Sequence, residues 1–165
     1  MRRLTLIRHA KSSWADADLT DFERPLNERG LRDAPRMAAQ LHELLGVPDR
    51  LVSSPAKRAI STARIFATHF GLDLDAIAIE PRIYEASLPT LLRVVGELDA
   101  ADRHVMLFGH NPGFSELAHQ LAKCPFDAMP TCAAVQLELS IDEWSEAGKV
   151  RAKLRHYVYP KGLRD

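Results

Sequence analysis

The order of apolar and polar positions along the chain predicts strands that alternate with helices. Short apolar runs rich in β-branched residues are typical of buried strands, and apolar residues at three- and four-residue spacing are typical of amphipathic helices. The predicted strands are 3–7, 50–54, 76–80, 104–110, 133–140 and 150–160. The predicted helices are 31–45, 55–70, 87–98 and 112–121, with Leu31, Ala34, Ala38, Leu41 and Leu45 as the apolar face of the first.

Residues at the helix ends support these boundaries. Asn27 is a suitable N-cap for the first helix, in which Pro35 predicts a kink or a later start. Ser54 is the expected N-cap of the second helix, with Pro55 at its first position and Gly71 after its end.

This alternation indicates an α/β fold. We expect a single domain over residues 1–165 with three α/β/α layers, in which helices cover both faces of a mostly parallel central sheet. Such sheets bind ligands beyond the carboxyl ends of their strands, so the residues that follow each strand are the candidates for a site.

The composition excludes several classes of function. Lys and Arg total 22, as do Asp and Glu, and this zero net charge predicts neither a nucleic-acid nor a membrane surface. No apolar run is long enough to span a bilayer, and the N-terminus lacks the features of a signal peptide. Cys124 and Cys132 have no zinc-site spacing and are expected to be thiols, so we predict a cytoplasmic protein.

Arginine and histidine side chains follow three of the predicted strands. Arg8 and His9 come after the first, Arg58 lies in the first helical turn after the second, and Gly109 and His110 come after "HVMLF". Arginine has a planar fork that matches phosphate oxygens, and helix N-termini favour anions. Arg58 is otherwise an unfavourable residue for a helix start, because of the helix dipole. The pattern therefore predicts a phosphate site at this edge of the sheet.

The segments "LIRHA", "SSPAKRAISTA" and "FGHNPG" resemble the histidine phosphatase superfamily, in which an Arg-His pair ends the first strand. They occur in the family's order, and with their flanking elements the resemblance covers nearly the whole chain. "RHAKSSW", "RPLNERG" and "GHNPG" are similar to the small SixA-type phosphohistidine phosphatases. Ala10, Lys11 and Ala15 depart from the mutase-like branch and favour the small one.

The resemblance implies a phosphatase with His9 as the nucleophile, which forms a phosphohistidine intermediate. Arg8, Arg58 and His110 would hold the phosphoryl oxygens, and Arg24 of "RPLN" is implied as a further phosphate ligand. No metal or other cofactor is implied, because the arginines carry the positive charge that Mg²⁺ supplies elsewhere. The expected partner is a phosphorylated protein that carries phosphohistidine.

Glu85 lies near the position of the proton donor in larger family members, although its neighbours do not match their motif. We interpret it as an acid for phosphate esters, or equally as a surface residue. Only 26 residues separate Arg58 from Glu85, too few for the helical cap of the mutases, so no large cap domain and an open pocket are expected.

Other interpretations remain open. A small-molecule phosphomonoesterase is one alternative, and a phosphate- or phosphoprotein-binding module without turnover is another. The intact His9 argues against the binding module, since binding needs no nucleophile. We interpret Asp16, Asp18, Asp21 and Glu23 as a solvated acidic loop, and Trp14 as a packing residue.

Overall fold

The structure is a computed structural model that describes residues 1–160. Its strands are β1 Arg2–Arg8, β2 Arg50–Ser53, β3 Ala78–Ile79, β4 His104–Gly109, β5 Ala134–Leu139 and β6 Lys153–Val158. Its α-helices are α1 Glu28–Leu45, α2 Lys57–Phe70, α3 Leu88–Gly96 and α4 Gly113–Leu121. All the predicted strands and helices are present, although β3 and β6 are shorter than expected.

The six strands form one sheet in the order β3-β2-β4-β1-β5-β6. The pairs β1–β4, β2–β4 and β2–β3 are parallel, whereas β5 pairs antiparallel with β1 and β6. The prediction of a mostly parallel central sheet is confirmed. Because β1, β2 and β4 run in the same direction side by side, the residues that follow them meet at one edge.

Helices cover both faces of the sheet. Leu4 and Leu6 of β1 pack with residues of α3 and α4, whereas Ile7 points to the opposite face and packs with residues of α1 and α2. This alternation follows from the two-residue period of a strand. The predicted three layers are therefore confirmed. Between α2 and α3 lie only β3 and two 3-10 turns, so the chain has no large cap domain there.

Helix α1 has the predicted N-cap, Asn27, but it begins three residues before the predicted range and buries a different face. The Asn27 side chain accepts a hydrogen bond from the Gly30 amide, and the helix runs through Pro35 without the later start. Leu31, which belongs to the apolar pattern of the sequence, is 56% exposed and does not contribute to the core. Gly30 faces the core instead, where a Cβ would lie 2.2 Å from the Lys11 carbonyl oxygen. The helix therefore lies against the loop after β1 at a position that only glycine permits.

Helix α2 begins at Lys57, two residues later than predicted, and Ala56 is its N-cap. The Ser54 hydroxyl accepts a hydrogen bond from the Ala56 amide in the turn before the helix. Ser54 therefore does not cap the helix, and its side chain lies between the strand end and the helix start. Gly71 ends the helix in the left-handed conformation, as predicted.

Cys124 and Cys132 are free thiols. Across residues 1–160, no helix combines the length and the apolar character needed to cross a bilayer.

Candidate active site

The end of β1 with its following loop, the start of α2 and the residues after β4 surround a pocket of about 200 Å³. Five residues singled out from the sequence line it: Arg8, His9, Arg24, Arg58 and His110. The parallel register places Arg8 of β1 opposite Gly109 of β4, so His9 and His110 follow adjacent strand ends. Their ring centroids are 5.2 Å apart. The structure thus brings together residues that are up to 102 positions apart in the chain.

Hydrogen bonds fix which nitrogen of His9 carries a proton. Nδ1 lies 2.7 Å from the carbonyl oxygen of Ala10, which can only accept, so Nδ1 donates. Nε2 accepts a hydrogen bond of 3.3 Å from Nε of Arg58. The lone pair on Nε2 therefore lies on the Arg58 side of the ring.

His9 is held neutral by its surroundings. It is 7% exposed, and burial lowers its pKa to about 3. Electrostatic interactions with His110, Arg58 and Arg8 act in the same direction. The hydrogen bond to Ala10 opposes this shift. A neutral imidazole at neutral pH retains its lone pair, which is the form that a nucleophilic histidine requires.

Arg58 connects His9 to the acidic loop. Besides its contact with His9, its Nη1 donates to the backbone carbonyl of Asp21 at 2.7 Å and its Nη2 donates to the Asp21 carboxylate at 3.0 Å. Only 7% of Arg58 is exposed. Its guanidinium therefore has one fixed orientation at the pocket.

Arg24 reaches the same pocket from the loop after β1. Its Nε donates to the carbonyl of Ser13 at 3.0 Å, and Nη2 donates to the hydroxyl of Ser12. The Trp14 ring stacks on its guanidinium at 3.2 Å. The prediction that Trp14 is a packing residue is wrong, since 73% of it is exposed and its contact is with a cation at the pocket mouth.

The sequence analysis missed the role of Asp21 in this arrangement. Its carboxylate accepts hydrogen bonds from Arg24 at 3.1 Å, Arg58 at 3.0 Å and the Tyr84 hydroxyl at 2.6 Å. The Tyr84 hydrogen bond first, and then those from the two arginines, lower the pKa of Asp21 to about 2. Burial, and then Asp21, raise the pKa of Tyr84 to about 12. The sequence does show Asp21 three residues before Arg24, and the two residues form an ion pair at that spacing.

Two buried nitrogens at the pocket have no hydrogen-bond partner among the described residues. They are Nε of Arg8 and Nδ1 of His110. Nε2 of His110 lies 2.7 Å from the Ser54 hydroxyl, and burial, together with the charges of Arg58 and Arg8, lowers the pKa of His110 to about 4. If Ser54 donates to Nε2, the neutral ring carries its proton on Nδ1. Both nitrogens are then donors that an oxyanion would satisfy.

Glu85 lies outside this pocket. It is exposed and lines an adjoining cleft of about 690 Å³, which Arg58 and His110 also border. Its φ is 53°, a conformation that is uncommon for glutamate. Glu85 therefore does not line the pocket around His9, although it shares the adjoining cleft with Arg58 and His110.

No cluster of three or more His, Cys, Asp or Glu side chains with a metal-binding arrangement occurs in residues 1–160.

Comparison with known proteins gives consistent results. The family model of the histidine phosphatase superfamily (branch 1) matches residues 4–91. An uncharacterised chloroplastic protein of Arabidopsis thaliana is 31% identical over 154 residues, which cover 88% of this chain and 70% of that protein.

The fold is similar to solved SixA structures. One is a protein of Agrobacterium tumefaciens that is provisionally named phosphohistidine phosphatase SixA. Its structure matches this one with 27% identity and a TM-score of 0.81, and the match covers 96% of this chain and 99% of that one. The protein histidine phosphatase SixA in complex with tungstate has a TM-score of 0.78 at 19% identity, with 98% and 99% covered.

The matched region includes Arg8, His9, Arg24 and Arg58, and the structural similarity extends over nearly all of the chain. The predicted resemblance to SixA-like proteins is confirmed. The chain belongs to the histidine phosphatase superfamily, branch 1.

Proposed function

We propose that this protein is a metal-independent phosphatase that acts through a phosphohistidine on His9. Membership of the superfamily supports phosphatase activity, and the SixA-like neighbours favour phosphohistidine on a protein as the substrate. The observation that carries the proposal is the neutral His9, whose Nε2 lone pair lies among three arginines and a second histidine.

In the first step, Nε2 of His9 attacks phosphorus. A bond forms between Nε2 and phosphorus while the bond from phosphorus to the substrate imidazole breaks, and that imidazole leaves with the bonding electrons and a proton from solvent. Water then attacks the phosphorus on His9. The N–P bond breaks, the electron pair returns to Nε2, and the proton lost from water goes to solvent or phosphate.

The surrounding side chains stabilise charge on the phosphoryl oxygens. Arg8, Arg24 and Arg58 supply fixed positive charge, and Nδ1 of His110 supplies a neutral donor. Charge in phosphoryl transfer spreads over the equatorial oxygens, so donors that are already in place cost little reorganisation. Burial, and then the charge of Arg58, lower the pKa of Arg8, as expected where positive charge is concentrated for an anion.

Phosphoramidate tests this mechanism because it carries a transferable phosphoryl group on nitrogen. The purified protein is incubated with phosphoramidate and a chelator, and the reaction is stopped in alkali, where phosphohistidine survives. Mass spectrometry of the peptide that contains His9 is expected to show one added phosphate, and phosphate release is expected to continue.

The His9→Ala variant is the control, with its folding checked by circular dichroism. Turnover in folded His9→Ala protein would overturn the proposed nucleophile. Phosphate binding without labelling or turnover would favour the phosphate-binding module instead.

Glu85 supports a second candidate, a small-molecule phosphomonoesterase. It lines the cleft beside the phosphate pocket, where a proton donor for an alkoxide leaving group would be useful. We expect Glu85→Gln to slow the hydrolysis of phosphate esters more than that of phosphohistidine, whose imidazole leaves more easily. A panel of phosphorylated metabolites and a phosphohistidine protein distinguishes the two candidates. An equal effect on both substrates would refute this role of Glu85.

A further inference from the structure

The cleft beside the phosphate pocket is larger than the phosphoryl group requires. It has a volume of about 690 Å³, compared with about 200 Å³ for the pocket around His9, and Arg58, His110 and Asn111 border both. Its other walls are mainly apolar and include Leu88 and Leu91 of α3. A substrate whose phosphoryl group lies against His9 therefore has room for the rest of the molecule in this cleft.

The cleft has a charge opposite to that of the phosphate pocket. Glu85 and Glu116 line it, both are exposed, and neither has a hydrogen-bonding or ion-pairing partner for its carboxylate in the described part of the chain. Arg58 is the only Lys or Arg among the described residues of its lining. Unpaired carboxylates beside an apolar surface are complementary to the cationic end and the apolar stem of Lys or Arg.

The cleft continues into a second groove of about 480 Å³. Leu88, Asn111, Pro112 and Glu116 belong to both, and the groove extends to Asp127. Its described lining contains no Lys or Arg. A continuous surface of this kind suits an extended ligand, such as several residues of polypeptide, better than a compact metabolite.

We propose that this cleft and groove bind the polypeptide around a phosphohistidine, and that they select a segment with Lys or Arg next to the phosphorylated residue. The inference rests on the proposed phosphatase function and adds the chemistry of its substrate. The phosphoryl group occupies the positive pocket, and the neighbouring cation lies beside Glu85 and Glu116. Two adjacent regions of opposite charge then fix the direction of the bound segment.

The helix dipole is a second explanation for a glutamate at position 116. It lies in the first turn of α4, where a carboxylate is favourable without any ligand. Substrate preference separates the two explanations, because stabilisation of the helix does not depend on which peptide is bound.

The test uses two short phosphohistidine peptides that differ only in having Lys or Gln beside the phosphohistidine. Their kcat/KM values are measured with the native protein, with Glu116→Gln and with the double variant Glu85→Gln, Glu116→Gln. Glu43→Gln, on the exposed surface of α1, makes the same change in charge away from the cleft. The ratio of the two values is the readout, because a general loss of activity affects both peptides equally and cancels.

An exposed ion pair changes affinity by roughly two- to five-fold. We expect Glu85 and Glu116 each to raise the ratio of kcat/KM values, Lys peptide over Gln peptide, by about that factor. The native protein and Glu43→Gln should show the same ratio. The preference should fall toward one in the double variant, and also in the native protein at high salt. A native ratio of one, or a ratio that the double variant leaves unchanged, overturns the proposal. Labelling of His9 by phosphoramidate, measured in the same samples, shows separately whether the phosphatase function holds.

Discussion

Replacement of Asp21 by Asn tests whether the acidic loop positions the arginines of the pocket. The change preserves the size of the side chain and removes its charge. Asp21 accepts hydrogen bonds from Arg24 at 3.1 Å and from Arg58 at 3.0 Å, while its backbone carbonyl still accepts from Arg58 in the variant. The substitution therefore weakens the restraint on two guanidinium groups without removing every contact of the loop.

The magnitude follows from these contacts. A hydrogen bond between charged groups contributes roughly 1.5–3 kcal/mol, but the Asp21 side chain is 47% exposed, so about 1 kcal/mol for each arginine is appropriate. Two arginines give about 2 kcal/mol, equivalent to roughly a 30-fold loss of transition-state stabilisation. Loss of a negative charge near the phosphoryl group opposes this by favouring the binding of an anion. We therefore expect kcat to fall by roughly 10- to 30-fold while KM stays the same or decreases.

Steady-state hydrolysis of phosphoramidate measures this effect. Asp18→Asn is the matched control, because it makes the same change in the same loop at an exposed position. Tyr84→Phe removes one neutral donor to Asp21 and should lower kcat by less than about threefold. An Asp21→Asn variant with unchanged or higher kcat would refute the reasoning, and would mean that the carboxylate competes with substrate for the arginines.

Three further predictions concern the histidines. Because the pKa of His9 is about 3, its labelling by phosphoramidate should stay nearly constant from pH 7 to pH 5; a fall centred near pH 6.5 would contradict a buried neutral nucleophile. Burial also lowers the pKa of His104 to about 4, so the unfolded chain binds a proton there before the folded one, and stability falls as the pH drops below 6.5. Urea denaturation at pH 7.5 and 5 should show a loss of up to about 2 kcal/mol from this residue, and His104→Gln should reduce that loss. An equal loss in the variant and the native protein would contradict a neutral His104 in the fold. Ser54→Ala removes the hydroxyl 2.7 Å from His110 and should lower kcat by about 3- to 10-fold. The Ser53 hydroxyl donates to a backbone carbonyl, so Ser53→Ala should affect mainly stability. Equal kcat values for the two variants would exclude positioning of His110 by Ser54.

The phosphate pocket was predictable because its main residues follow strand ends. Arg8 ends β1, His9 and His110 come directly after β1 and β4, and parallel strands bring their carboxyl ends to one edge whatever the length of the connection. The sheet order was a consequence of tertiary packing and did not have to be known. Local sequence and the general rule for parallel sheets were sufficient.

The loop contacts could not be predicted in the same way. Asp21 and Trp14 lie in a segment without periodicity, and their roles depend on where α2 places Arg58 and how Arg24 turns back toward Ser13. Leu31 fits the spacing of the helical pattern but is exposed, because the loop after β1 requires Gly30 on the buried face. In each case the deciding contact comes from a part of the chain distant in sequence.

The hydrogen bond from His9 to the Ala10 carbonyl also has a genetic consequence. Many catalytic histidines depend on a carboxylate side chain to select their tautomer, and one codon change can remove it. Here the acceptor belongs to the main chain, and every amino acid at position 10 would still provide a carbonyl. The amide of Ala10 is in turn held by the Thr62 hydroxyl at 3.0 Å. Inherited substitutions should therefore reduce activity far more often through the arginines and their supports than through the wrong tautomer of His9, the proposed nucleophile.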